Sequence, residues 1–181
     1  MTLREMKDRV LSLIEELNPN SEYLTDDVDI QEKINYAIDT KQHELSRIKR
    51  IAAIEKLRVK DNQQVNLYEE YDDFYKLKSI NGVHYTLFEN IVTFEEDGEA
   101  TINYYRYPKK ITKDTDMDVY KMEVSMDVQE IMPYGVASYL LKNDPSSQYG
   151  RIYEQEYQNA LDKIDMQMTD GLFEIKGGIN V

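Results

Sequence analysis

The stretch Asn90-Ile91-Val92-Thr93-Phe94, then Glu95-Glu96-Asp97-Gly98-Glu99, then Ala100-Thr101-Ile102-Asn103-Tyr104-Tyr105-Arg106-Tyr107 decides how this chain is read. Both arms are rich in β-branched and aromatic residues, which suit a pleated, half-buried surface. The acidic segment between them reads as the connection of the two arms. An antiparallel hairpin is expected here. Upstream, from Leu57, the apolar residues of Val65-Asn66-Leu67-Tyr68 and Phe74-Tyr75-Lys76-Leu77-Lys78-Ser79-Ile80 alternate at two, and Asn81-Gly82 marks a further turn. Strands are expected from Leu57 to Tyr107, with their pairing order left open.

On either side the period becomes helical. Leu3, Met6, Val10, Leu13, Ile14 and Leu17 form one stripe, broken by Asn18-Pro19-Asn20-Ser21. A long second helix is expected from Asp26-Asp27 to about Ile54, with Ile30, Ile34, Ala37, Ile38, Leu45, Ile48 and Ala52 on its apolar face. Pro108 to Met122 reads as a polar connection. Asp127-Val128-Gln129-Glu130 has capping-box spacing, and Pro133 predicts a kink or restart. Asn143-Asp144-Pro145 starts a last helix carrying Tyr149, Ile152, Tyr153, Tyr157, Ala160, Leu161, Ile164 and Met168, which stops near Asp170-Gly171.

The expected fold is therefore α+β: a bundle of about four helices with an inserted small antiparallel β region and an extended C-terminal tail. Residues 1–56 and 123–170 form the helical core, 57–122 the inserted β region and linker, and 171–181 the tail.

A formal charge of −13 opposes general nucleic-acid binding, which needs cations to neutralise phosphate, and opposes docking on an anionic membrane. There is no cysteine, so disulfides, zinc–thiolate sites and thiol catalysis are excluded. No apolar run approaches the roughly 20 residues of a bilayer span. The N-terminus reads as a helix of mixed charge without a signal-peptide core, so synthesis in the cytoplasm is expected.

The usual signatures of chemistry are missing. His43 and His84 have no second histidine at metal-ligand spacing. Asp114-Thr115-Asp116-Met117-Asp118 opens like a calcium loop, but Val119 stands where glycine must turn the chain and Ser125 where a bidentate glutamate must close the site. Walker A, GxGxxG and nucleophile-elbow patterns are absent. The chain is expected to be no enzyme and to hold no metal or cofactor.

Three features point to contacts instead. Lys41, Arg47, Lys49, Arg50, Lys56, Arg58 and Lys60 concentrate basic charge on and just beyond the second helix, opposed by Glu44 and Glu55. Such a run is a solvated helix face, a docking patch for an acidic neighbour, or a contact with DNA. Fifteen tyrosines and no tryptophan suit partly wet subunit boundaries. Tyr104, Tyr105 and Tyr107 fall on both faces of one strand, so at least one face is expected to meet a neighbour. Phe173, Ile175, Ile179 and Val181 lie on a tail too short to build its own core, either disordered alone or adding as a strand to another subunit.

Tyr105-Arg106-Tyr107-Pro108 followed by an acidic linker, then Asp127-Val128-Gln129-Glu130-Ile131-Met132-Pro133-Tyr134-Gly135-Val136-Ala137-Ser138-Tyr139-Leu140-Leu141, then Asn143-Asp144 and the Tyr149, Tyr153, Tyr157 helix, form a recognisable series. With two opening helices, this series resembles head–tail connector proteins of the adaptor type from the neck of tailed bacteriophages. The resemblance implies a structural protein of the virion neck that forms a homo-oligomeric ring, commonly a dodecamer. The ring docks on the portal through C-terminal tails, offers its other face to the next neck or tail protein, and lets the genome pass without sequence-specific binding. Alternative readings are another neck or tail-completion (stopper) protein, a non-viral module contacting nucleic acid through the basic second helix, and an enzyme using acidic residues with a divalent cation.

Overall fold

The computed structural model describes residues 1–142 and 148–169, with side chains through Ile164. Its helical body begins with α1 (Leu3–Leu13), capped by Thr2, whose hydroxyl accepts from the Glu5 amide while the Glu5 carboxylate accepts from the Thr2 amide. The helix ends four residues before the expected Leu17. There Glu15 turns left-handed at φ 61° and the Glu16 amide closes back on the Leu11 carbonyl at 2.9 Å. The second helix, α2 (Val28–Ile48), starts at Asp27, whose carboxylate accepts from the Ile30 amide at 3.1 Å. Two later helices, α4 (Met126–Leu141) and α5 (Gln148–Thr169), complete the body. Leu3, Met6, Val10, Ile34, Ile38, Leu45, Val128, Met132, Val136 and Tyr157 form its core.

Between these helical pairs lies a β module with a core of its own. It comprises β1 (Ile51–Val59), β2 (Gln64–Asn66), the one-turn α3 (Leu67–Glu70), β3 (Phe74–Asn81), β4 (Tyr85–Phe88), β5 (Ile91–Phe94) and β6 (Gly98–Arg106). One antiparallel sheet has the order β1-β6-β3 and the other β2-β5-β4. Val59, Phe74, Ile80, Ala100, Ile102 and Tyr104 from the first meet Val65, Val92 and Phe94 from the second in one buried cluster. The sheets thus pack face to face, and their outer faces point in opposite directions. Ile51 at the module's entrance is the register partner of Arg106 at its exit, so the chain enters and leaves at one point.

This corrects the expected fold class. Among the described residues there are five helices and two three-stranded sheets, not a four-helix bundle with a small inserted β region. Two local misreadings underlie the difference. The second helix stops at Ile48, because Ile51-Ala52-Ala53-Ile54-Glu55-Lys56-Leu57 pairs along its whole length with β6 despite good helix-forming composition. The expected hairpin of residues 90–107 is also absent. Residues 95–97 carry the chain from one sheet to the other, and β5 pairs instead with β2 and β4. The turn at Asn81-Gly82 does form, with Gly82 at φ 98° and so close to Glu99 that a β carbon would stand 2.5 Å from its carbonyl oxygen.

The expected capping box at Asp127 does not form. Ser125 is the cap residue of α4, while Asp127 pairs with Lys49 and Glu130 with Arg9. Helix α4 runs through Pro133 without a restart. The linker is also more ordered than a polar connection. Its Tyr120 carbonyl accepts from the Leu3 amide at 2.9 Å, Met122 donates to Met1 at 2.9 Å, and the buried Ile111 amide donates to Asp39 at 2.7 Å. Asp118, from the would-be calcium loop, is paired with Arg4. The expected helix start at Asn143-Asp144-Pro145, the stop at Asp170-Gly171 and the tail lie outside the described residues.

Candidate assembly interface

Strand alternation sorts the first sheet into two faces. Leu57 and Val59 of β1 and Ala100, Ile102 and Tyr104 of β6 turn to the core. Ile54, Lys56 and Arg58 turn outward, opposite Asn103, Thr101 and Glu99 of β6, with Tyr105 on the same face. Two cations bracket Tyr105: the Arg50 guanidinium lies 5.1 Å from its ring centroid and the Lys78 ammonium 6.0 Å. Ile54 beside them is 66% exposed, unusual for isoleucine at the middle of a strand. Lys56 pairs with Glu99 at 3.2 Å, while Arg58 and Lys60 are exposed and have no carboxylate partner among the described residues. The result is a basic face centred on tyrosine and isoleucine, carried by a strongly acidic chain.

The structure divides the basic run foreseen in the sequence. Lys41 turns into the helical body, 2.9 Å from the Glu44 carboxylate and 4.6 Å from the Tyr157 ring centroid. Lys49 is held by Asp127, and the Arg47 guanidinium sits 5.9 Å from the ring centroid of Tyr107. Arg50, Lys56, Arg58 and Lys60 belong to the sheet side, where Lys78 joins them.

The three strand tyrosines part in the same way. Tyr104 is a core residue, stacked on Tyr71 at 4.9 Å and donating its hydroxyl to Asp73 at 3.1 Å. Burial first, then the Asp73 charge, pushes its phenol up to about 12. Tyr107 lies against His43 and Tyr75 where the module meets α2. Only Tyr105 of the three is set on the outer face. Phe173, Ile175, Ile179 and Val181 fall outside the described residues.

An ion pair ties the exit of the module to the linker that leads into α4. The Arg106 guanidinium donates to both oxygens of Glu123 at 2.9 and 3.2 Å, and the Lys109 amide donates to the same carboxylate at 2.7 Å. Burial works against the charge on Glu123, but the guanidinium and the amide outweigh it and hold the carboxyl below its usual range.

The opposite side of the module carries a second patch, which the sequence reading missed. Phe88 and Ile91 are register partners on the outer face of the second sheet, 75% and 41% exposed. Leu87 on the edge strand is exposed but pairs with the buried Val92 and so lies on the inner side, and Tyr68, after β2, sets its ring edge-on to Phe74 of the first sheet at 5.1 Å. Glu89 stands in the turn between Phe88 and Ile91, and Glu69 accepts from Asn66, the register partner of Ile91; both carboxylates are exposed. The available signal was the run Phe88-Glu89-Asn90-Ile91, in which two large apolar residues flank a two-residue turn.

No protein-family model matches the chain, and no curated protein matches it. The two patches therefore have to be read from their chemistry. Among the described residues no cluster of three histidine, aspartate or glutamate side chains is placed to hold a metal ion, and no helix is long and apolar enough to cross a membrane. The described helices also form an open cleft of about 600 Å³ lined by Ile14, Ile30, Tyr36, Tyr139 and Leu140, with Asp27, Asp29, Lys33 and Lys142 at its margin. What the two module faces offer is apolar area with complementary charge, the ingredients of a protein–protein contact.

Proposed function

We propose that this chain is a structural adaptor of a tailed-phage neck, a subunit of a ring that docks on the portal and joins the DNA-filled head to the next neck or tail protein. The observation that carries the reading is the separate β module. It has its own core, is held to a helical body at one point, and shows exposed aromatic and aliphatic side chains on two outer faces. Exposed apolar clusters of this kind suit a protein whose working state is an assembly. The series from Tyr105 to Tyr157, similar to adaptor-type connectors, supplies the particular assembly. The net charge of −13 agrees with a conduit that repels phosphate instead of retaining it.

Electron microscopy of the protein mixed with the portal of the phage encoding it tests the proposal. A ring capping the portal, lost when residues 172–181 are deleted, is the expected result. Absence of association across a range of salt and protein concentrations would overturn it.

A further inference from the structure

The two patches on the β module are complementary in character and opposite in position. The first-sheet face presents Ile54 and Tyr105 among Arg50, Arg58, Lys60 and Lys78. The outer face of the second sheet presents Phe88 and Ile91 beside Glu89 in the turn between them, with Glu69 bonded to Asn66, the register partner of Ile91. Each is an apolar centre with a charged rim, and the rims carry opposite signs. Within one molecule they cannot meet, because the sheets share a core and their outer faces diverge.

We infer that neighbouring copies join head to tail through these two faces, the acid-rimmed Phe88–Ile91 patch of one seating on the basic Tyr105–Ile54 face of the next. The occupant is a second copy because the same chain carries both halves of the match. Two different patches on opposite sides make a heterologous contact, which propagates from copy to copy and closes only as a ring. A two-fold dimer would instead place like charge against like charge. The inference deepens the adaptor reading and rests on it for ring closure, while the pairwise contact stands on the two faces alone. Apolar centres provide the adhesion and the charged rims set register and partner choice.

The natural absence of cysteine makes disulfide trapping clean. Two full-length variants, Phe88→Cys and Ile54→Cys, are prepared separately and oxidised alone and mixed at low salt. A disulfide joining Phe88→Cys to Ile54→Cys in the mixture, with little in either variant alone, is expected. The double variant should give a ladder of covalent oligomers. Arg58→Glu should reduce trapping roughly tenfold, and adding Glu89→Lys should restore it. Homodisulfides of either single variant, no disulfide in any mixture, or trapping of Phe88→Cys by Phe173→Cys in preference to Ile54→Cys would each overturn the contact. The last result would make the tail the occupant. A portal-capping ring without the mixed disulfide removes this contact and leaves the adaptor reading; the mixed disulfide without portal binding does the reverse.

Discussion

Gly135 on α4 lies so close to the ring of Tyr157 on α5 that a β carbon at position 135 would stand 2.8 Å from Cε2 and 2.9 Å from Cδ2. The ring has little room to retreat. It is fully buried, its hydroxyl donates to Glu44 of α2 at 3.2 Å, and the Lys41 ammonium lies 4.6 Å from its centroid. Three helices are therefore keyed together at a position where α4 has no side chain. A glycine inside a helix ordinarily costs about 1 kcal/mol relative to alanine, so Gly135→Ala would stabilise an open helix. Here the clash decides the sign, and Gly135→Ala should destabilise by about 1–3 kcal/mol in urea denaturation. Tyr157→Leu, itself destabilising, should make Gly135→Ala nearly neutral or favourable in the double variant. Equal effects of Gly135→Ala in both backgrounds would refute the coupling.

The Arg106–Glu123 pair predicts a pH effect with a definite sign. The Glu123 carboxyl titrates below its usual range in the folded protein, so its contribution is present above the unfolded-state pKa and is lost as pH falls through the depressed folded value. Glu123→Gln should cost about 2 kcal/mol near neutrality, because it leaves a half-buried guanidinium with less compensation. The difference between the two proteins should shrink on acidification below the usual carboxylate range. A gap that stays constant down to pH 2 would mean that the charge on Glu123 does not hold the module in place.

The helical half of this fold was legible because Leu3, Met6 and Val10, and again Ile34, Ala37, Ile38 and Leu45, recur at the spacing of one buried face. The β half was legible as strands but not as sheets. Ala52-Ala53-Ile54-Glu55-Lys56 prefers helix locally, and its fate is decided by β6, whose residues lie more than forty positions later. Local pattern likewise marks the bend at residues 95–97 but carries no information on whether the next strand pairs back or crosses to a second sheet. The interface residues followed the same logic. Arg50 and Arg58 stood out as charge and Tyr105 as an aromatic, but their shared face with Lys78 and Ile54 exists only once β1, β6 and β3 are placed side by side.

The end of α1 offers a stabilising change. Glu15 occupies the left-handed position of a helix-terminating turn at φ 61°, where a β carbon is crowded against the backbone. Its carboxylate forms no ion pair among the described residues, so little is lost with it. Glu15→Gly should raise stability by about 0.5–1 kcal/mol, seen as a higher thermal midpoint at unchanged cooperativity. A decrease would show that this turn does not persist in solution.

Strand β1 is where composition and structure disagree most, and two substitutions three residues apart separate them. On a helix Ile54 and Leu57 would share a face and be buried together. On a strand they face opposite ways, with Leu57 packed on the β core and Ile54 66% exposed. Leu57→Ala should therefore cost about 2 kcal/mol of folding stability and leave any self-association of the remaining folded protein intact. Ile54→Ala should change stability by no more than about 0.5 kcal/mol. Its effect should fall on assembly, where it removes the aliphatic side chain beside Tyr105. Similar losses of stability for both variants would favour a helical segment and remove the sheet face on which the head-to-tail contact depends.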